Sequence, residues 1–248
     1  MNAKITDWHG KVIWITGAST GIGAALARQL LNIGAIVITS SRTAITLTHA
    51  NTYHVTCDTT ELASLALATQ KIKSQFGTLD LIIANAGNHA PMRADAIDAK
   101  LAAQLVDTNL TGTINTVACG LTLLKPTGGI AIVASVAGYR GLPTGLIYGA
   151  TKAALINFTE TLYLDLAPKG HQVYLINPGF VKTPLTDKNP FTMPALISPD
   201  EAAKAIILGM TKGQFEIHFP KRFTWFMQAL RHLPYSWYFW LIHKGTGL

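Results

Sequence analysis

The stretch Thr16-Gly17-Ala18-Ser19-Thr20-Gly21-Ile22-Gly23 decides the fold. It joins a short apolar run, KVIWIT (11–16), to a helical pattern, AALARQLLNIG (24–34). Glycines between a strand and a helix let the backbone bend sharply and come close to a ligand. The start of the helix adds free N–H groups and the positive end of its dipole. That combination suits a diphosphate. The spacing is GxxxGxG rather than GxGxxG, and no Lys-Ser/Thr follows the last glycine, which excludes a P-loop. A plain tight turn is the bland alternative.

Outward from that turn the same alternation continues. AIVITS (35–40), YHVTC (53–57), LDLIIA (79–84), GIAIVAS (129–135), HQVYLIN (171–177) and FEIHF (215–219) read as further strands. ELASLALATQKIKSQFG (61–77) has the 3.6-residue period of an amphipathic helix and stops at Gly77. Continuous apolar strands separated by helices imply a parallel sheet covered on both faces. With right-handed crossovers this is a Rossmann-type, doubly wound α/β fold: a seven-stranded parallel sheet with helices on both faces and ligands at the strands' carboxyl ends. No linker or repeat interrupts it, so residues 1–220 read as one dinucleotide-binding catalytic domain, followed by an aromatic and basic tail, 221–248.

Composition narrows the function classes. Of 248 residues 49% are hydrophobic and 13% charged, enough for a sizeable core and too apolar for disorder. Cys57 and Cys119 lie far apart and the eight histidines form no HxxxH pair, so no metal site is expected. The start, MNAKITDWHGK, lacks the apolar region of a signal peptide, and YSWYFWLI (235–242) is too short to span a bilayer. A cytoplasmic protein is expected. The net charge of +7 forms no basic stripe for nucleic acid; it suits an anionic cofactor or an anionic lipid surface.

The second strand ends Thr39-Ser40-Ser41-Arg42, where an NAD enzyme usually carries an acidic residue for the ribose 2′-hydroxyl. Here Arg42, with Ser41 beside it, can fork onto a 2′-phosphate. NADP is therefore favoured over NAD, against the alternative of a solvated arginine.

Tyr148-Gly149-Ala150-Thr151-Lys152 opens a long helical pattern, 147–167. Residues four apart share a helix face, so phenol and ammonium are neighbours. A free phenol is a poor base at neutral pH, and an adjacent cation lowers its pKa toward the working range. The pair alone is a common spacing. Ser135, closing the strand GIAIVAS, can hold a substrate oxygen as charge develops on it. Asn109, in a helical stretch, can hold a water that feeds protons to Lys152. A turn cap for Ser135 and a buried structural amide for Asn109 are the alternatives.

Together, TGASTGIG, Asn109, Ser135, the step to Tyr148 and YGATK resemble the short-chain dehydrogenase/reductase family over about residues 9–219. The resemblance implies Tyr148 as acid/base, Lys152 as its pKa modulator and ribose ligand, Ser135 as substrate orienter and Asn109 as relay residue. It implies Gly17, Ser19, Thr20, Gly21, Ile22 and Gly23 at the diphosphate, Asp58 and Thr59 near the adenine, and Asn85-Ala86-Gly87 beside the ribose. Pro178, Gly179, Val181 and Thr183 would flank the nicotinamide. One departure is Ala84, where the family's usual Asn-Asn-Ala-Gly has its first amide; support of the central sheet is in doubt there.

The loops 88–96, 136–147 and 184–198 are expected to choose the substrate, a small alcohol or carbonyl of apolar character, since the last loop is rich in Pro, Leu, Phe and Met. His89 reads as a water-facing loop histidine in preference to a substrate contact. In the tail, Phe223, Phe226, Met227 and Leu230 fall on one helical face and Pro234 starts a second short helix. The tail can pack on a partner subunit, wall the substrate pocket or rest on a bilayer. A homodimer or homotetramer is expected. The leading function is an NADP(H)-dependent alcohol/carbonyl oxidoreductase; a catalytically silent NADP(H) sensor and a membrane-surface scaffold stand as alternatives.

Overall fold

A computed structural model describes residues 2–45, 47–189 and 191–246. Its centre is a seven-stranded sheet: β1 (Val12–Thr16), β2 (Ile36–Ser41), β3 (Thr52–Thr56), β4 (Leu79–Ala84), β5 (Leu124–Val133), β6 (Gln172–Pro178) and β7 (Glu216–Phe219). The strand order is β3-β2-β1-β4-β5-β6-β7, and every neighbouring pair is parallel. The chain leaves β1 toward one edge and returns at β4 to build the other, so a crevice opens where β1 and β4 end.

Helices cover both faces because the apolar strands still alternate. Ile13, Ile15, Leu81, Ile83, Tyr174 and Ile176 point to the layer of α1 (Gly21–Asn32) and α6 (Pro199–Thr211). Trp14, Ile82, Ile130, Ile132, Val173 and Leu175 point to the opposite face, which α2 (Leu62–Phe76), α4 (Gly112–Gly120) and α5 (Leu146–Leu166) cover. Side chains of successive strand residues leave on opposite sides, so an unbroken apolar run fills both cores at once.

Helix ends follow local chemistry. α2 stops where Gly77 takes a positive φ of 72°, a conformation that costs glycine least. α6 starts on a reciprocal cap in which the Ser198 hydroxyl accepts from Glu201 N and Glu201 accepts from Ser198 N. α3 (Ala99–Val106) runs into α4 through a π-type turn, Asp107–Thr111, that carries Asn109. Such one-turn widenings re-aim a side chain, and functional sites favour them.

The tail forms two helices, α7 (Lys221–Arg231) and α8 (Tyr235–Thr246). Met227, Leu230 and Tyr238 join the core cluster of β5, β6 and α5, with Phe223 packed against it. Phe226 departs from the face expected of it. It is exposed, and Thr224 is buried in that stripe with its hydroxyl against His218 Nδ1, because the helix turns a hydrogen-bonded threonine inward.

Candidate active site

At the carboxyl ends of the strands lies a cavity of about 570 Å³. The glycine turn forms one wall through Gly17, Ser19, Thr20, Gly21 and Ile22. Gly17 sits at φ +65°, and a Cβ there would come within 2.6 Å of Ala86 Cα. Only glycine lets the two turns touch. The Thr20 side chain makes no capping bond to α1, so the first-turn N–H groups stay open to an anion. Gly23 differs from its neighbours. It lies behind the wall, where a Cβ would stand 2.5 Å from Gly17 O and 2.6 Å from Asn85 Nδ2, so its role is close packing of helix on turn.

Ser41, Arg42, Asp58 and Thr59 line the next part of the wall. Among the described residues no carboxylate pairs with Arg42. The Ser41 hydroxyl donates to Thr43 O, and Asp58 is taken up by Thr60, whose N–H and hydroxyl both donate to it at 3.0 and 2.8 Å. Asn85, Ala86 and Gly87 follow on the turn after β4. The Asn85 amide donates to Thr16 O at 3.1 Å and Gly17 O at 2.9 Å, which ties the two turns together. Ala84, the departure from the family's usual pattern, is buried at the end of β4.

Opposite stand Ser135, Tyr148 and Lys152, with Pro178, Gly179, Val181 and Thr183 beyond them. Ser135 falls two residues past the end of β5, as the cap of a 3-10 turn (Val136–Gly138), where its hydroxyl accepts from Ala137 N at 3.1 Å. Capping and facing the cavity are thus compatible. Tyr148 and Lys152 lie one turn apart on α5, with Lys152 Nζ 5.7 Å from the phenol ring centre. The ammonium is buried and donates to Val133 O at 2.8 Å. Burial pulls its pKa down to about 8. Burial also pushes the Tyr148 phenol up, opposed by the Ser135 hydroxyl. Burial, rather than the expected lowering by Lys152, is the main influence on this phenol.

Asn109 is fully buried and outside the cavity wall. Its Nδ2 donates to Asn88 O at 3.0 Å and Thr151 Oγ1 at 3.2 Å, and its Oδ1 accepts from Asn88 N at 2.7 Å. Both amide hydrogens are spent on bracing the loop after β4 against α5.

His89 overturns the water-facing reading. It is buried, its ring stands edge-on to Tyr148, and it hydrogen-bonds Asn189 Oδ1 at 3.0 Å. Lys188 Nζ donates to Asn88 Oδ1 at 3.0 Å and His89 O at 3.1 Å, stapling loop 184–198 over loop 88–96. These contacts were beyond sequence reasoning, since about a hundred positions separate the partners. Arg140, within the loop 136–147 expected to choose the substrate, anchors the tail: its guanidinium lies 4.6 Å from the Tyr235 ring centre and 4.4 Å from that of Tyr238.

A family model described as short chain dehydrogenase matches residues 11–192, the span that carries the glycine turn, Ser135, Tyr148 and Lys152. The chain belongs to the short-chain dehydrogenase family. An uncharacterized oxidoreductase of Myxococcus xanthus is 35% identical over 217 residues, covering 83% of this short-chain dehydrogenase and 86% of that protein. The L-fucose dehydrogenase of Mus musculus is 34% identical over 193 residues, covering 75% and 71% respectively. A short chain dehydrogenase of Burkholderia cenocepacia, solved in complex with NADP, superposes with a TM-score of 0.83 at 28% identity, covering 91% of this chain and 94% of its own. The short-chain dehydrogenase is thus an oxidoreductase of a nicotinamide-dependent family, on a seven-stranded parallel doubly wound sheet.

Proposed function

We propose that this short-chain dehydrogenase interconverts an alcohol and a carbonyl with NADP(H), Tyr148 carrying the proton. The observation that carries the reading is convergence: Tyr148, Lys152 and Ser135 face one cavity whose other wall holds the glycine turn and Arg42. NADP(H), when bound, supplies or accepts the hydride. The glycine turn and the open start of α1 suit its diphosphate, and Arg42 with Ser41 suits a 2′-phosphate. Asp58 and Thr59 take the adenine side, Asn85, Ala86, Gly87 and Lys152 the nearer ribose, and Pro178, Gly179, Val181 and Thr183 the nicotinamide side.

The residues divide the proton chemistry. An enclosed phenol with a raised pKa stays protonated at neutral pH, so Tyr148 is ready to donate to a carbonyl oxygen. The Ser135 hydroxyl orients that oxygen. Lys152 places a positive charge where a phenolate forms, and Asn109 acts as a positioning residue for the loop beside it.

The substrate we infer is apolar. Phe180 meets Phe191 at 5.7 Å and Phe223 at 5.4 Å between ring centres, an aromatic seam joining β6's end, the loop 184–198 and α7. The likeness to an L-fucose dehydrogenase supports a sugar as the second reading. Free Cys57 and Cys119 suit a reducing, cytoplasmic setting.

The test is oxidation and reduction of NADPH and NADH by the purified protein across apolar ketones, apolar alcohols and L-fucose. Turnover with NADPH that Tyr148→Phe abolishes, with cofactor binding kept, is the expected result. Tight NADPH binding without turnover on any carbonyl would instead make the protein a sensor.

A further inference from the structure

Glu216 is the last carboxylate side chain in the sequence. From Lys221 onward the chain carries Lys221, Arg222, Arg231 and Lys244 and no Asp or Glu. In the same segment Trp225, Phe226, Trp237, Phe239 and Trp240 are each 58–66% exposed. Soluble domains rarely turn so many large rings outward on adjoining helices.

These rings are not exposed for want of anchoring. Arg140 donates to Leu230 O at 3.1 Å and Leu233 O at 2.5 Å while lying against Tyr235 and Tyr238, and the Tyr238 hydroxyl donates to Gly141 O at 2.5 Å. The turn between α7 and α8 is fastened to the body, and the remaining aromatic faces point away from it. Lys244 lies over the Trp240 ring at 5.1 Å, its charge held at the edge of the apolar patch.

We propose that α7 and α8 dock this protein on an anionic lipid surface. The charge decides the occupant. A second copy would bring two wholly basic faces together across a symmetry axis, whereas acidic headgroups neutralise them. Tryptophan rings flanked by Lys and Arg settle at the headgroup level, with the rings among acyl chains and the cations at the phosphates. Among the described residues no helix is long and apolar enough to cross a membrane, so docking lies in the interfacial plane. The Phe180–Phe223 contact, 5.4 Å between ring centres, packs α7 against the segment that follows β6.

The test is co-sedimentation of the full chain with vesicles of phosphatidylcholine alone and of phosphatidylcholine with a quarter phosphatidylserine, at low and high salt. Binding is expected to the mixed vesicles, to weaken with salt, and to shift tryptophan emission to the blue. Trp237→Ala/Phe239→Ala/Trp240→Ala, all at exposed positions, should lower affinity at least tenfold with unchanged circular dichroism and Tm. Lys221→Glu/Arg222→Glu should lose at least fivefold per charge, since each basic side chain near such a surface contributes about that factor. No binding to the mixed vesicles, or binding that neither variant weakens, overturns the proposal. A dimer in sedimentation velocity that the aromatic variant dissociates, without vesicle binding, also overturns it and gives the face to a second copy.

Discussion

The ring of His89 stands edge-on to the ring of Tyr148, their centres 4.6 Å apart and their planes at 73°. Its Nε2–H donates to Asn189 Oδ1, which leaves Nδ1 buried and without a partner among the described residues. Burial is the main cause that pulls its pKa below the ordinary 6.5, aided by Lys188 and opposed by the Asn189 bond. A neutral imidazole thus packs against the phenol ring of Tyr148. An aromatic pair of this kind contributes about 1 kcal/mol, roughly a fivefold population of the productive ring position. His89→Ala should lower kcat about fivefold with little effect on cofactor affinity. Because the folded pKa is depressed, the unfolded chain takes the proton first as pH falls. The contribution to stability is full above about pH 6.5 and is lost below it. His54 and His218 shift the same way, also chiefly through burial. Tm should therefore drop between pH 7 and pH 5, and less steeply in His89→Gln. An unchanged kcat in His89→Ala would show that this contact does not set the phenol's position.

The sheet was legible from the sequence because buried parallel strands are unbroken apolar runs, and glycine turns mark where they stop. Ser135, Tyr148 and Lys152 were legible because strand ends and helix periodicity are local. The position of His89 was not, since it depends on Lys188 and Asn189 across a loop-to-loop contact. Asn109 was half legible: its type and place were plain, but the π-type turn and the two partners that consume its amide arise only in the packed helix. Phe226 shows the limit of periodicity, which could not tell a hydrogen-bonded Thr224 from a surface residue.

Lys152 is expected to trade stability for function. Its ammonium is held at a pKa of about 8 against an ordinary 10.5, a burial cost on the order of 3 kcal/mol at neutral pH. Lys152→Met removes that cost but strands Val133 O, which returns about 1 kcal/mol. The variant should melt a few degrees higher than the parent at pH 7 and have no measurable turnover. At pH above 10.5, where the parent's lysine is neutral in both states, the gain should vanish. Calorimetry at the two pH values checks it; a lower Tm at pH 7 would mean that the Val133 bond outweighs the charge burial.

Arg42 is expected to separate the two cofactors. One charge-assisted contact to a phosphate is worth about 1.5–3 kcal/mol, so Arg42→Ala should weaken NADPH binding about ten- to a hundredfold and NADH binding by less than about twofold. Arg42→Asp should reverse the preference by placing an acceptor where a ribose hydroxyl would lie. Titration of protein fluorescence with each cofactor measures both. Equal losses for NADPH and NADH would remove Arg42 from the 2′-phosphate.

Two glycines of different kinds test how the glycine turn is built. At Gly23 a Cβ would stand 2.5 Å from Gly17 O and 2.6 Å from Asn85 Nδ2, so Gly23→Ala must push helix α1 off the turn or break the Asn85 clamp. At Gly77 nothing among the described residues lies within 4 Å of such a Cβ, and the obstacle is φ +72°. Gly77→Ala should cost about 1 kcal/mol, with cofactor affinity unchanged. Gly23→Ala should cost about 2–3 kcal/mol and also weaken either nicotinamide cofactor at least tenfold, because the same displacement moves the N–H groups of the first turn. Denaturant unfolding with and without NADPH distinguishes the two. If Gly23→Ala lost only stability, the turn and the helix start would be separable, and the packing of α1 on Gly17 would not set the anion site.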